Sequence, residues 1–221
     1  LQKQNSLDDL GFVHRFEPAT VPGAPSLLLL HGANGDENSL IAFGKAMAPG
    51  AALLSPRGQV IDQGMARFFR RHAEGDFDQA DMEARTNDLV LFVERACRAY
   101  KIPRARVVAA GFSNGANMAA SLLLRCPEAF CGAALMRGMV PFTPQRAVDL
   151  QRRPVLILSG VDDPIVATDE VAELADIFRA ANAEVTLHWE RAGHPLCQGD
   201  LLMAFDWMRK FFDVPRPAGT K

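Results

Sequence analysis

Residues 109–116 read AAGFSNGA, which sets Gly111, Ser113 and Gly115 in a G-x-S-x-G spacing. A serine hydroxyl is a weak nucleophile unless a neighbouring base activates it. The spacing suits that chemistry when the serine sits on a sharp strand-to-helix turn, with small flanking residues that let other backbone approach. The flanks fit, with the apolar run RVVAA (106–110) before the turn and a helical stretch at 117–124 after it. A helix N-terminus behind Ser113 would also favour a developing oxyanion. The plain alternative is a tight Gly turn that packs a helix on a strand.

Acyl transfer to such a serine needs donors for the oxyanion, a base, and an acid to orient the base. The run SLLLL (26–30) leads into His31-Gly32-Ala33-Asn34-Gly35-Asp36, the type of loop that gives one oxyanion amide. The amide of Ala33 is assigned that role, with the amide of Asn114, just after the serine, as its partner. For the base, His194 lies in RAGHP, a loop after the strand EVTLHWE and before the last helix. The other histidines read as structural. His188 is mid-strand beside Thr186 and Glu190, His14 alternates with Phe12 and Phe16, and His31 is a hydrogen-bonding residue of its loop. His72 could at most line the site. The acid follows the strand PVLIL, where Gly160-Val161-Asp162-Asp163-Pro164 offers two carboxylates. Pro164 restricts its predecessor to extended backbone, which favours one fixed pose for Asp163. Serine, then acid, then histidine is one of the chain orders known for this set.

These loops must be carried by a scaffold. The runs 26–30, 51–54, 106–110, 131–136 and 154–158 are continuously apolar, as strands buried on both faces are. Between them Leu89, Phe92, Val93, Ala96, Cys97 and Tyr100 form one helical stripe, and 168–181 and 200–212 also read as helices. Such alternation implies a mostly parallel central sheet with helices on both faces, and ligands gather at the carboxyl ends of its strands. With 221 residues and no linker-like stretch, the chain is expected to be one domain over 1–221, frayed at 1–10 and 215–221.

The motifs LLLLHGANGDE, AAGFSNGAN, SGVDDPIV and AGH, in that order, resemble the phospholipase/carboxylesterase family of α/β-hydrolases over roughly residues 25–212. The resemblance implies the α/β-hydrolase fold and a serine esterase with Ser113, Asp163 and His194. It decides for Asp163, because the family's acid stands directly before the proline. Acyl-protein thioesterases of the family carry Gln after the nucleophile, where this chain has Asn114. That departure, with the stretch 55–86, points to the small bacterial carboxylesterase branch and to small carboxylic esters. An acyl-thioesterase or lysophospholipase with the same triad is the alternative. A catalytically silent binding protein is a remote one, since it would need none of the three residues.

Met65, Phe68 and Phe69 fall in a long loop near the strand ends and are expected to line the pocket. Equally open is a packed surface loop whose arginines pair with Glu74, Asp76 and Asp78. Asp76, Asp78 and Asp81 lack a calcium loop's ligand pattern and read as caps for the next helix. No metal or cofactor is implied. A net charge of −2 gives no general pull toward nucleic acid or membrane. Four cysteines without CxxC spacing, and no apolar leader in LQKQNSLDDLG, suggest free thiols and a cytoplasmic setting. Small enzymes of the family are often dimers, so a homodimer is expected by the same resemblance.

Overall fold

The computed structural model describes residues 10–214; of the ends expected to fray, only Leu10 falls among them. Eleven strands are formed among the described residues, of which seven make the central sheet. These are β1 (His14–Glu17), β2 (Ser26–Leu30), β3 (Ala52–Pro56), β8 (Val107–Phe112), β9 (Gly132–Met136), β10 (Pro154–Gly160) and β11 (Glu184–Glu190). Their order is β1-β3-β2-β8-β9-β10-β11, and every pairing is parallel except β1 with β3. Each strand read from an apolar run is present, with ends moved by at most two residues.

Alternation along the strands divides the core. Leu28 and Leu30 of β2 face α2 (Gln79–Tyr100), α3 (Asn114–Arg125) and α4 (Thr168–Ala180). Leu27 and Leu29 face the other way, toward α1 (Ile41–Met47) and α5 (Gln198–Phe212). Both faces are therefore covered, which is why these strands read as unbroken apolar runs. In α3 every residue from Asn114 to Leu124 is buried. The expected stripe of α2 is buried as read, apart from the half-exposed Tyr100, and the four cysteines are free thiols.

The start of α3 is set by backbone contact. A Cβ on Gly111 would lie 2.1 Å from the Gly115 carbonyl oxygen, and one on Gly115 would lie 2.0 Å from that of Leu30. No L side chain fits at either position, so the glycines permit β8, β2 and α3 to converge.

Residues 56–78 differ from the long loop expected. They form two small ribbons, β4 (Val60–Asp62) with β5 (Met65–Arg67) and β6 (Arg71–Ala73) with β7 (Asp76–Phe77). Gln63 and Gly64, with φ of 50° and 79°, make the two-residue turn of the first, the positive-φ geometry that matches strand twist. Strands of two or three residues are too short to display an alternating pattern. The arginine pairing matches in part: Arg71 reaches Glu74 as expected, but Arg67 and Arg71 also reach Asp62. Asp78 instead caps α2, accepting from the Asp81 amide at 3.0 Å. Among the described residues, no helix is long and apolar enough to cross a membrane.

Candidate active site

Ser113 occupies the turn between β8 and α3 with φ 51° and ψ −117°, a strained conformation for any residue but glycine. The surroundings hold it there. Its amide donates to the Met136 carbonyl at 2.8 Å, and its carbonyl accepts from the amides of Ala116 and Asn117 at 2.8 and 3.1 Å. The strain lifts the hydroxyl clear of the turn, toward His194. His194 Nε2 lies 2.9 Å from Ser113 Oγ, and His194 Nδ1 lies 2.8 Å from Asp163 Oδ2.

The same loops fix the acid. Asp163 Oδ1 accepts from the amides of Ile165 and Val166 at 2.8 and 3.2 Å, which leaves Oδ2 for the imidazole. Of the two neighbouring aspartates, Asp163 is therefore the one that meets His194. The loops after β10 and β11 are held together by backbone, with the Asp162 amide 3.2 Å from the Ala192 carbonyl. A Cβ on Gly160 would lie 2.2 Å from that carbonyl oxygen, so the close passage of the His194 loop requires glycine.

Asn114 opens α3, where an amide has no carbonyl within the helix to accept it. Ala33 is exposed in a tight turn closed by the Gly35 amide on the Gly32 carbonyl at 3.1 Å. That loop packs against the start of α3, since a Cβ on Gly115 would meet the carbonyls of both Leu30 and His31. His31 itself is buried. Its Nδ1–H donates to the Gly32 carbonyl at 2.7 Å, and its Nε2 accepts from the Gly58 amide at 2.9 Å. Only the neutral ring can do both, and burial pushes its pKa below the ordinary value. His14 bonds to Phe12 and Tyr100, His188 lies 2.8 Å from Glu190, and His72 is exposed. None of these three joins the cluster.

The recess holding Ser113 is small, about 20 Å³, and takes in Arg67, Arg71 and Phe77 from the ribbons. Met65, Phe68 and Phe69, expected as its lining, are not part of it. Phe68 packs on His31, and Phe69 meets Phe77 edge to face in the core. Met65 ends the first turn and is half-buried. A larger surface hollow, about 880 Å³, lies elsewhere, between α2 and residues 142–148, and contains none of the clustered residues.

One interaction was not read from the sequence. Arg137 follows β9 with φ 57° and a fully buried side chain. Its Nη1 and Nη2 donate to the two oxygens of Asp200 at 2.9 and 2.7 Å, and its Nε donates to the Gly193 carbonyl at 3.0 Å. Asp200 Oδ2 also accepts from the Cys197 amide at 2.8 Å. The ion pair thus joins β9, the residue before His194 and the first turn of α5. The available signal was a cation directly after an apolar strand, with an acid in the first turn of the last helix.

A hydroxyl, an imidazole and a buried carboxylate in hydrogen-bonded series can deprotonate the hydroxyl as it attacks a carbonyl carbon. On this sheet, with the serine at a strand-to-helix turn, the arrangement defines an α/β-hydrolase. The Phospholipase/Carboxylesterase family profile matches residues 14–211, and the chain belongs to that family. It is 39% identical over 197 residues to MhqD of Bacillus subtilis, which carries the name of a hydrolase, covering 89% of this chain and 98% of that one. The carboxylesterase of Bacillus cereus is 41% identical with a TM-score of 0.91, over 93% of this chain and 97% of that one. YahD, solved with malic acid, is 26% identical with a TM-score of 0.86, over 90% of this chain and 99% of that one.

Two outcomes follow from the buried groups. Arg137→Met or Asp200→Leu alone should cost about 3–5 kcal/mol in urea unfolding by stranding a buried charge, whereas the double replacement should recover most of it. Additive losses in the double variant would show that the two side chains do not act as a pair. His31 unfolded titrates near pH 6.5, and the fold holds it lower, so as pH falls the unfolded chain takes the proton first. Its contribution is complete above about pH 6.5 and is lost progressively below it, by at most about 1.4 kcal/mol per pH unit. Unfolding between pH 7.5 and 5.5 should be less pH-dependent in His31→Gln than in the parent protein.

Proposed function

We propose that this protein is a serine carboxylesterase that cleaves small carboxylic esters through an acyl-enzyme on Ser113. The observation that carries this reading is the unbroken series Ser113 Oγ, His194, Asp163, with contacts of 2.9 and 2.8 Å around a strained serine. Ser113 Oγ adds to the ester carbonyl carbon as its proton passes to His194 Nε2. The carbonyl oxygen takes the negative charge and is held by the amides of Ala33 and Asn114. Asp163 keeps the Nδ1–H tautomer and stabilises the imidazolium. Collapse of the intermediate breaks the C–O bond, and the departing alcohol leaves with the proton from His194. Water, deprotonated by His194, then attacks the acyl carbon and releases the carboxylic acid and Ser113.

Two observations support small substrates. The recess beside Ser113 is narrow, and YahD, a similar protein, was solved with the small molecule malic acid. The family membership supports ester hydrolysis as the activity.

A fluorophosphonate probe should label Ser113 stoichiometrically. Ser113→Ala should abolish labelling and lower kcat for p-nitrophenyl acetate by roughly a million-fold. Undiminished labelling of that variant would refute the assignment. Across monomeric p-nitrophenyl esters, kcat/KM should peak between acetate and about hexanoate and be lower by at least about tenfold at palmitate, equivalent to about 1.4 kcal/mol. A rate still rising at palmitate would favour the lysophospholipase or thioesterase alternative.

A further inference from the structure

The wall of the Ser113 recess carries two guanidiniums from the ribbon segment, Arg67 and Arg71, with the carboxylate of Glu74. Arg67 is unusual in being buried, with a side chain 5% exposed. Its Nε lies 3.1 Å from Asp62 Oδ2, yet off line, so that nitrogen makes no hydrogen bond among the described residues. Asp62 is also shared with Arg71, at 3.8 Å, and does not line the recess. Burial, and then the neighbouring positive charge of Arg71, hold the Arg67 pKa below the usual arginine value against the pull of Asp62 and Glu74. The third guanidinium at the recess, Arg137, is already spent on Asp200 and the Gly193 carbonyl. Arg67 and Arg71 both keep donors, since Arg71 gives only Nη1, to Glu74, among the described residues.

Its backbone is fixed from three directions. The Ala66 carbonyl accepts from the Asn34 amide of the oxyanion loop at 2.9 Å. The Phe68 amide donates to Asn114 Oδ1, on the residue next to Ser113, at 2.8 Å. A Cβ on Gly58 would lie 2.3 Å from the Arg67 carbonyl oxygen, so that strand end is also pressed from behind. A buried guanidinium with an unsatisfied donor is costly, and here its neighbours are anchored to Asn114, next to the serine, and to Asn34 of the oxyanion loop.

Building on the serine-esterase reading, we propose that this recess is an anion subsite in which Arg67, with Arg71 beside it, receives a carboxylate carried by the substrate. The preferred substrates are esters with a carboxylate a few atoms from the scissile carbonyl, such as half-esters of small dicarboxylic acids. Arginine meets a carboxylate through paired N–H donors, so the contact orients the ester as well as binding it.

The test compares kcat/KM by pH-stat at pH 7.5 for two pairs of isosteres on the whole protein. Monoethyl glutarate against ethyl 5-methylhexanoate places the charge on the acyl side, and carboxymethyl butyrate against isobutyl butyrate places it on the alcohol side. At least one anionic member should be preferred by about tenfold or more, the factor that a charge-assisted hydrogen bond contributes, and the preferred pair tells which side the subsite serves. Arg67→Gln should bring that ratio down toward one. Glu74→Gln, at a half-exposed residue that competes for Arg71, should raise the ratio and keeps the test decisive if the Arg67 variant fails to fold. Turnover of the esters with no anionic preference in either pair, or a preference unmoved by Glu74→Gln and by any folded Arg67→Gln, would overturn the subsite alone. Absence of all turnover, together with no probe label on Ser113, would overturn the esterase reading and the subsite with it.

Discussion

The geometry of this protein depends on a place where backbone packs on backbone. The strand that ends at Phe112 turns into α3 with no side chain at Gly111 or Gly115 to hold the neighbouring carbonyls away. Because α3 begins so close to the end of β2, the loop after β2 lies beside the serine without a long excursion. The same device recurs at Gly160, where the loops after β10 and β11 cross. Contacts of this kind leave almost no slack, and the cluster around Ser113 inherits its precision from them. Hydrogen-bonding side chains then refine positions that the main chain has already set.

Much of this was legible because the scaffold writes itself in plain terms. Leu27 to Leu30, Val107 to Ala110 and Val155 to Leu158 are apolar on both faces, and a run of that kind has few other homes than an interior parallel strand. Ser113 and the Asp162–Asp163 pair follow two of those strands and His194 follows the next strand, so position marked these loops, and the family resemblance chose between Asp162 and Asp163. The segment 56–78 resisted such reading for the opposite reason. Its order comes from non-local bonds, such as Asn34 to Ala66 and Asn114 to Phe68. Nothing in the local pattern of residues records them. Phe68 and Phe69 looked like pocket walls because bulky apolar residues near a site can serve either as wall or as core, and here packing against His31 and Phe77 took them inward.

Arg137 and Asp200 are illegible in the sequence for a related reason. A lone arginine after a strand and a lone aspartate 63 residues later carry no joint signature. Their meaning lies in a shared burial that only the folded chain supplies. Asn114 shows the reverse case. Its departure from the thioesterase glutamine was visible at once, but its contact is with a main-chain amide in the ribbon segment, which the sequence could not indicate.

The Arg137–Asp200 pair also bears on how the molecule comes to be assembled. Arg137 leaves the ribosome with β9, whereas Asp200 arrives only with α5, after the remaining strands of the sheet have been made. Until that helix docks, a guanidinium at the heart of the domain has no counter-ion, and the carbonyl before His194 has nothing rigid to lean on. A nascent chain in this condition can complete its sheet but cannot bury Arg137 at low cost. Docking of α5 is thus the event that turns a collapsed sheet into a closed one. Long-range closure of this sort is slow compared with helix formation, so the region around His194 should be among the last parts of the chain to become native.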